Sequence, residues 1–291
     1  MEIALHLGAH LTDDSQLRDC LMANSDMLAA QGILVPRARD FQSLLNDAAD
    51  HIASGHGAPR AFERLLTATG AGADTRRLVL SAQRLLSRLP DCLDERRFYP
   101  GAARRIAALR NIFAGHQVEI FLAVRNPASF VPAYLSNGQV QAQGGPSLQI
   151  AGTDLRWSEL TEEFRLIWPE AKLTLWCDED TPFIWHRVLR LVAGYSPEQE
   201  FENSFNWFDT VLVDGASQKL AAYLAASPPV DDAHRQKVIS VFLDKFCDDQ
   251  KLDVDVSATG WDEAHVDLLT ELYEEDTARI AAMEGVSLIQ P

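Results

Sequence analysis

The stretch Glu2-Ile3-Ala4-Leu5-His6-Leu7-Gly8-Ala9-His10-Leu11-Thr12-Asp13-Asp14-Ser15 decides how the rest of the chain is read. Its first six residues are a short, largely apolar run stopped by glycine, which at this length reads as a buried strand. Leu17, Cys20, Leu21, Met27 and Leu28 then recur at roughly helical spacing, with acids in the first turn where the helix dipole favours them. A strand, a glycine turn and a helix therefore open the chain.

The same alternation continues outward. Residues 32–36, 77–81, 118–124 and 172–177 are short apolar runs that read as further buried strands, the first of them closed by Pro36. Helical patterns occupy 40–54, 59–69, 101–114, 158–167 and 182–194. Asn126 is a natural N-cap and Pro127 suits the first helical position, so a helix is predicted from there to about Gln143, stopping at Gly144-Gly145-Pro146. Apolar strands alternating with helices indicate an α/β fold of three layers, a mostly parallel central sheet with helices on both faces. From 196 onward no strand is predicted, and 215–225, 230–246 and 261–283 read as helices. The expected organisation is an α/β core at 1–195 and an acidic, helical C-terminal extension at 196–291 packed on it. Phe201, Phe205, Trp207 and Phe208, in the irregular connection 196–210, read as anchors of that extension rather than ligand contacts.

The 291 residues carry a formal charge of −16, spread unevenly. Residues 1–115 hold 14 arginines, no lysine and 13 acids; residues 196–291 hold 6 basic residues and 20 acids; the first lysine of the chain is Lys172. An acidic surface of this kind repels phosphate backbones and anionic lipid, so no nucleic-acid and no membrane partner is expected. No apolar run reaches the roughly 18 to 20 residues of a membrane span, and the N-terminal segment lacks signal-peptide features, so a cytoplasmic location is expected. Cys20, Cys92, Cys177 and Cys247 lie far apart without zinc-site spacing and read as free thiols.

In a parallel α/β sheet, ligands sit outside the carboxyl ends of the strands. Two segments fall there. Gly8, with hydroxyl residues between strand and helix, would let backbone N–H groups surround a phosphate. Arg125, at the end of the strand 118–124 and beside a helix N-terminus, has the fork geometry for a bidentate phosphate contact. Asp178-Glu179-Asp180 follows another strand end and reads as an N-terminal cap for the helix near 182, with the cleft as the alternative.

Together and in order, these motifs resemble the sulfotransferase family. Bacterial members open with a strand, a loop of the form Gly-x-His-Lys-Thr-Gly-Thr-Thr/Ser and a helix ending near Gly-Ile-x-x-Pro, followed later by a strand ending Arg-x-Pro. Gly8-Ala9-His10, Thr12 and Ser15 match the loop, Gly32-Ile33-Leu34-Val35-Pro36 the element after the first helix, and Arg125-Asn126-Pro127 the later motif. The resemblance covers residues 1–195 and implies a P-loop-like sulfotransferase fold binding 3′-phosphoadenosine 5′-phosphosulfate. It implies Gly8, Ala9, His10, Thr12 and Ser15 at the 5′-phosphosulfate and Arg125, with Ser129, at the 3′-phosphate.

The departures fall on the chemistry. The family's loop lysine, which stabilises charge on the bridging oxygen, is Leu11 here, and its following Gly-Thr pair is Asp13-Asp14. Two unit charges about 4 Å apart repel by about 4 kcal/mol at an effective dielectric near 20. Arg18, Arg76 and Arg77 are the available replacement cations, none at the matching position. The family serine eight residues after its arginine is Ala133, with Ser129 one turn earlier as substitute. Where the family often has Ser-x-Glu, with a possible general base, the chain has Ser81-Ala82-Gln83, and glutamine takes no proton at neutral pH. His10 is the remaining titratable candidate for a catalytic role.

The leading expectation is a sulfotransferase-like protein with a degenerate donor site, acting as a binding or regulatory module that requires no cofactor and engages an unknown protein or a small-molecule or glycan acceptor. The alternative is an active sulfotransferase using Arg125, His10, the helix N-terminus near Ser15 and one displaced arginine, for which 3′-phosphoadenosine 5′-phosphosulfate would be the donor. A divalent cation on Asp13, Asp14 and His10 is a third reading; adjacent acids in a first helical turn more often serve the helix N-terminus, and no metal is assigned.

Overall fold

The computed structural model describes residues 1–13, 15–142, 150–252 and 254–291. Six strands, β1 (Glu2–His6), β2 (Ile33–Leu34), β3 (Arg77–Ser81), β4 (Gln117–Val124), β5 (Lys172–Cys177) and β6 (Val286–Ile289), form one sheet in the order β2-β3-β1-β4-β5-β6. All neighbouring pairs are parallel. The first five stand on the apolar runs that predict them.

β6 corrects the sequence reading, which finds no strand after residue 196. Val286 to Ile289 pair with Leu173 to Trp176, so the C-terminal segment contributes the sixth strand. Four residues are too few for a period to declare itself, and the neighbouring strand decides their conformation.

Alternate residues of each strand face two different cores. Ile3, Leu5, Leu78, Leu80, Ile120 and Leu122 face one side. There they meet α3 (Ala38–Ala53), α4 (Ala61–Thr69), α5 (Ala102–Ile112), α6 (Pro127–Ser136), α8 (Trp157–Ile167) and α13 (Glu263–Ala281). Ala4, Val79, Phe121, Ala123 and Trp176 face the other. That side is covered by α1 (Gln16–Ala23), α2 (Ser25–Ala29), α9 (Thr181–Ala193), α10 (Ala216–Ala226) and α11 (Asp232–Phe246), which the short α12 (Asp249–Leu252) follows in the chain. The layers are therefore helix, sheet, helix. Among the described residues no helix is long and apolar enough to cross a membrane.

The predicted helix 127–143 is two helices. Asn137 is extended and its side chain accepts the Gln139 N–H at 2.9 Å, ending α6 and starting α7 (Gly138–Ala142). An asparagine followed by glycine competes with the helix ladder in this way. The expected stop at Gly144-Gly145-Pro146 lies outside the described residues.

The amino ends of the strands are tied by Arg77, only 2% exposed. Its Nη1 donates to Glu2 at 3.1 Å, its Nη2 to Glu119 at 2.7 Å, and its Nε to the Val192 carbonyl at 3.2 Å. Gly194 makes room for it: an added Cβ there would lie 2.7 Å from Arg77 Cδ, at a residue whose φ is +65°. Burial alone would raise the Glu119 carboxyl, but Lys172 and Arg77 outweigh it and hold the group below its ordinary range. A carboxyl depressed on folding stabilises fully above its unfolded pKa and ceases to do so as pH falls through the folded value. Arg77→Met strands these partners and should cost about 3–5 kcal/mol in urea unfolding. The same variant should lose part of the wild type's decline in stability on acidification through the carboxylate range.

Candidate functional site

The connections leaving β1 and β4 depart to opposite sides of the sheet, so the crevice between their carboxyl ends is the topological switch point. Both sequence motifs end there. The pairing of β1 with β4 continues past the strand: Leu7 N–H donates to Phe121 O at 3.0 Å, Ala9 N–H to Ala123 O at 3.0 Å, and Ala123 N–H to Gly8 O at 2.6 Å. Gly8 has φ +109°, and a Cβ there would lie 3.0 Å from the His10 nitrogen, so this turn requires glycine.

The loop that follows is bonded to itself and to the core. His10 is 4% exposed; its backbone N–H donates to the Tyr99 hydroxyl at 2.8 Å, and its Nδ1 lies 2.8 Å from the same oxygen. One hydroxyl serves both when it accepts from the backbone and donates to Nδ1, which places the ring proton on Nε2. Nε2 is buried without a partner among the described residues. Thr12 Oγ1 donates to Ala9 O at 2.9 Å. Ser15, in the left-handed region at φ 73°, precedes α1 without a side-chain capping bond.

Asp13 supplies that cap from inside the loop. It is 6% exposed; Oδ2 accepts the Leu17 N–H at 3.0 Å, Oδ1 accepts from Gln83 Nε2 at 3.1 Å and more distantly from the Ser15 N–H at 3.4 Å, and its carbonyl accepts the Gln16 N–H at 2.8 Å. The amides at the start of α1, where a phosphate would be held, are thus occupied by a carboxylate of the chain. Asp14 lies outside the described residues. With Asp13 accepting three N–H groups and His10 directed at Tyr99, these two members of the metal reading are engaged elsewhere.

Arg125 reaches this loop from β4. Its Nη1 donates to the Leu11 carbonyl and its Nε to Ser129 Oγ at 2.9 Å, with Asp178 at 4.0 Å. Asn126 caps α6 as predicted, accepting the Ala128 N–H at 2.9 Å. Glu179 does not cap α9. One of its carboxylate oxygens accepts the Asn126 N–H at 2.8 Å and the other the Tyr273 hydroxyl at 2.9 Å, so this acid faces the β4 end, while Asp180 at the N-cap of α9 makes no side-chain capping bond. Asn126 Nδ2 also donates to Thr270 Oγ1 at 3.0 Å, so α13 closes one side of the crevice.

Of the replacement cations, Arg76 and Arg77 stand at the amino end of β3, the far end of the sheet from the loop. Arg18 pairs with its neighbour Asp19 at 2.9 Å. Sequence reasoning missed Arg84, Tyr99 and Tyr273. Arg84 directly follows Ser81-Ala82-Gln83, so its position was available; Tyr99 and Tyr273 lie 89 and 149 residues beyond the positions they contact, His10 and Val124.

No model of a known protein family matches the chain, and no curated protein matches its sequence. Among solved structures, the chain is similar to the crystal structure of a sulfotransferase from Alicyclobacillus acidocaldarius, at 12% sequence identity and a TM-score of 0.37, over 82% of this chain and 97% of that chain. Strand order and register define the fold independently of that likeness.

Burial pushes the His10 ring down to about 4, with Arg84 adding to the effect, and burial lowers His6 as well. Unfolded histidine takes its proton near pH 6.5, so between about 6.5 and 4 the unfolded chain binds the proton that folded His10 refuses. Stability should fall as pH drops through that window, by up to about 1.4 kcal/mol per pH unit for one group. His10→Gln should remove its share of the slope, read as the difference in urea midpoints between pH 7 and 4.5 for the two proteins.

Proposed function

We propose that this chain is a sulfotransferase-like protein with a degenerate phosphosulfate donor site, a cytoplasmic binding or regulatory module that engages a protein or a small-molecule or glycan ligand without sulfuryl transfer. The observation that carries this reading is the buried Asp13 carboxylate on the Leu17 amide and Gln83. A donor's phosphosulfate needs those first-turn amides, and it would have to displace an anion covalently tethered beside them.

The remaining loop chemistry supports the same reading. Sulfuryl transfer builds negative charge on the bridging oxygen, and a positioned cation lowers that barrier most where water is excluded. Leu11, at the lysine position, packs as a partly buried apolar residue against the core. His10 carries no charge at neutral pH and already shares its Nδ1 with Tyr99. Gln83, at the position of the possible general base, donates to Asp13 instead of accepting a proton. All four cysteines are free thiols, as suits a reducing compartment.

The contact of Arg125 with Ser129 beside Leu11 favours a second reading, an active sulfotransferase with a non-standard site in which that pair holds the 3′-phosphate. Calorimetric titration with 3′-phosphoadenosine 5′-phosphate separates the two. Millimolar nucleotide should give no binding heat, and micromolar affinity would overturn the degenerate-site reading. The triple variant Leu11→Lys, Asp13→Gly, Asp14→Thr should gain measurable affinity; a folded variant that stays silent would remove the loop as the cause.

A further inference from the structure

On the face of the sheet covered by α9, α10 and α11, well away from the β1 loop in sequence, two cavities adjoin. The outer one is a bowl of about 700 Å³ between α9, the connection 198–205, α10 and the start of α11. The inner one is a slot of about 10 Å³, room for about one water-sized group. Glu200, Phe205 and Arg235 line both, so the slot and the bowl share a wall at these residues.

The slot presents hydrogen-bond donors. Arg235 is 8% exposed and gives one nitrogen, Nη2, to Glu200; its Nε and Nη1 donate to no other described residue. Ser204 is 4% exposed, lines the slot, and its hydroxyl has no partner among the described residues. A buried hydroxyl left without a partner is destabilising, a penalty that an acceptor entering the slot would relieve. The walls of the bowl are apolar, with Phe205, Leu224 and Pro229. Phe201, Trp207 and Phe208 are buried anchors, as their sequence predicts, whereas Phe205 is left half-buried facing the cavities.

Charge narrows the ligand. Glu198, Glu200, Asp231 and Asp232 outnumber Arg190 and Arg235 around the bowl, so a simple anion is repelled. A simple cation would leave the donors of Arg235 and Ser204 unmet. Asp232 is already held by His186 at 3.0 Å, Glu200 by Arg235, and Asp231 by its cap on α11, which leaves Glu198 and Arg190 as the charged side chains of the bowl with neither a hydrogen bond nor an ion pair among the described residues. We propose that this two-chamber cavity binds a small zwitterion with an apolar side group, of the class of the hydrophobic α-amino acids. Its carboxylate meets Arg235 and Ser204, its ammonium the acids of the rim, and its side group the apolar wall.

The test is calorimetric titration of the full chain with L-phenylalanine, 3-phenylpropanoate and 2-phenylethylamine, which share one ring and differ only in charge. Phenylalanine should bind at least about tenfold more tightly than either analogue. Ser204→Ala should weaken it several-fold while leaving the melting temperature unchanged or higher, an outcome that a merely structural serine would not give. Ala225→Trp, at an exposed position on the bowl, should abolish binding without touching the core. Silence from all three probes at millimolar concentration, equal binding of the three, or wild-type affinity in Ala225→Trp would overturn the proposal. The β1 loop takes no part in these outcomes, so this site and the donor-site reading can fail separately.

Discussion

The backbone pairing of β1 with β4, prolonged through Gly8 and Ala9 to Ala123, is the constraint on which the site depends. It fixes where the first loop leaves the sheet, and because β4 ends one residue before Arg125, it also fixes the distance between loop and arginine. The side-chain bonds of Arg125 to Leu11 and Ser129 follow from that alignment rather than create it. A glycine is required because the chain turns at a positive φ with the His10 amide and the Gln83 side chain packed against it.

Within this frame, the electrostatics of the helix N-terminus decide the chemistry. An N-terminus attracts an anion whether it comes from a ligand or from the chain. A tethered carboxylate loses little further freedom on binding, whereas a ligand must give up its translational entropy. Asp13 therefore competes from a favourable position, and Gln83 strengthens it by occupying a second lone pair.

The sheet was legible in the sequence because β1, β3, β4 and β5 lie inside it, largely buried on both faces, and with β2 they read as short, largely apolar runs. β6 was not: at four residues on the sheet edge, its conformation is fixed by β5 rather than by its own pattern. The loop and Arg125 were legible because strand ends and glycine turns carry local signals. What the loop residues hold was not legible. The partners of His10 and Arg125, and of Asp13 through Gln83, come from distant segments, and no local period encodes a contact such as that of His10 with Tyr99.

The acidic C-terminal third looks different once its contacts are traced. Asp276, 4% exposed, accepts the backbone N–H groups of Trp157 at 2.6 Å and Ser158 at 3.1 Å, so it anchors the N-terminus of α8 from a helix more than a hundred residues later. The residue before α8 in sequence, Arg156, makes no capping bond of its own. Asp231 and Asp262 cap α11 and α13 in the ordinary local way. The chain thus repeats at α8 the device it uses at α1, a buried carboxylate set on the first amides of a helix. Some of the acid behind the charge of −16 is therefore neither a solvated surface nor a partner site, but a set of internal anions that complete helices of the chain itself. The start of α1, where Asp13 takes the Leu17 amide, is one more helix start supplied from within.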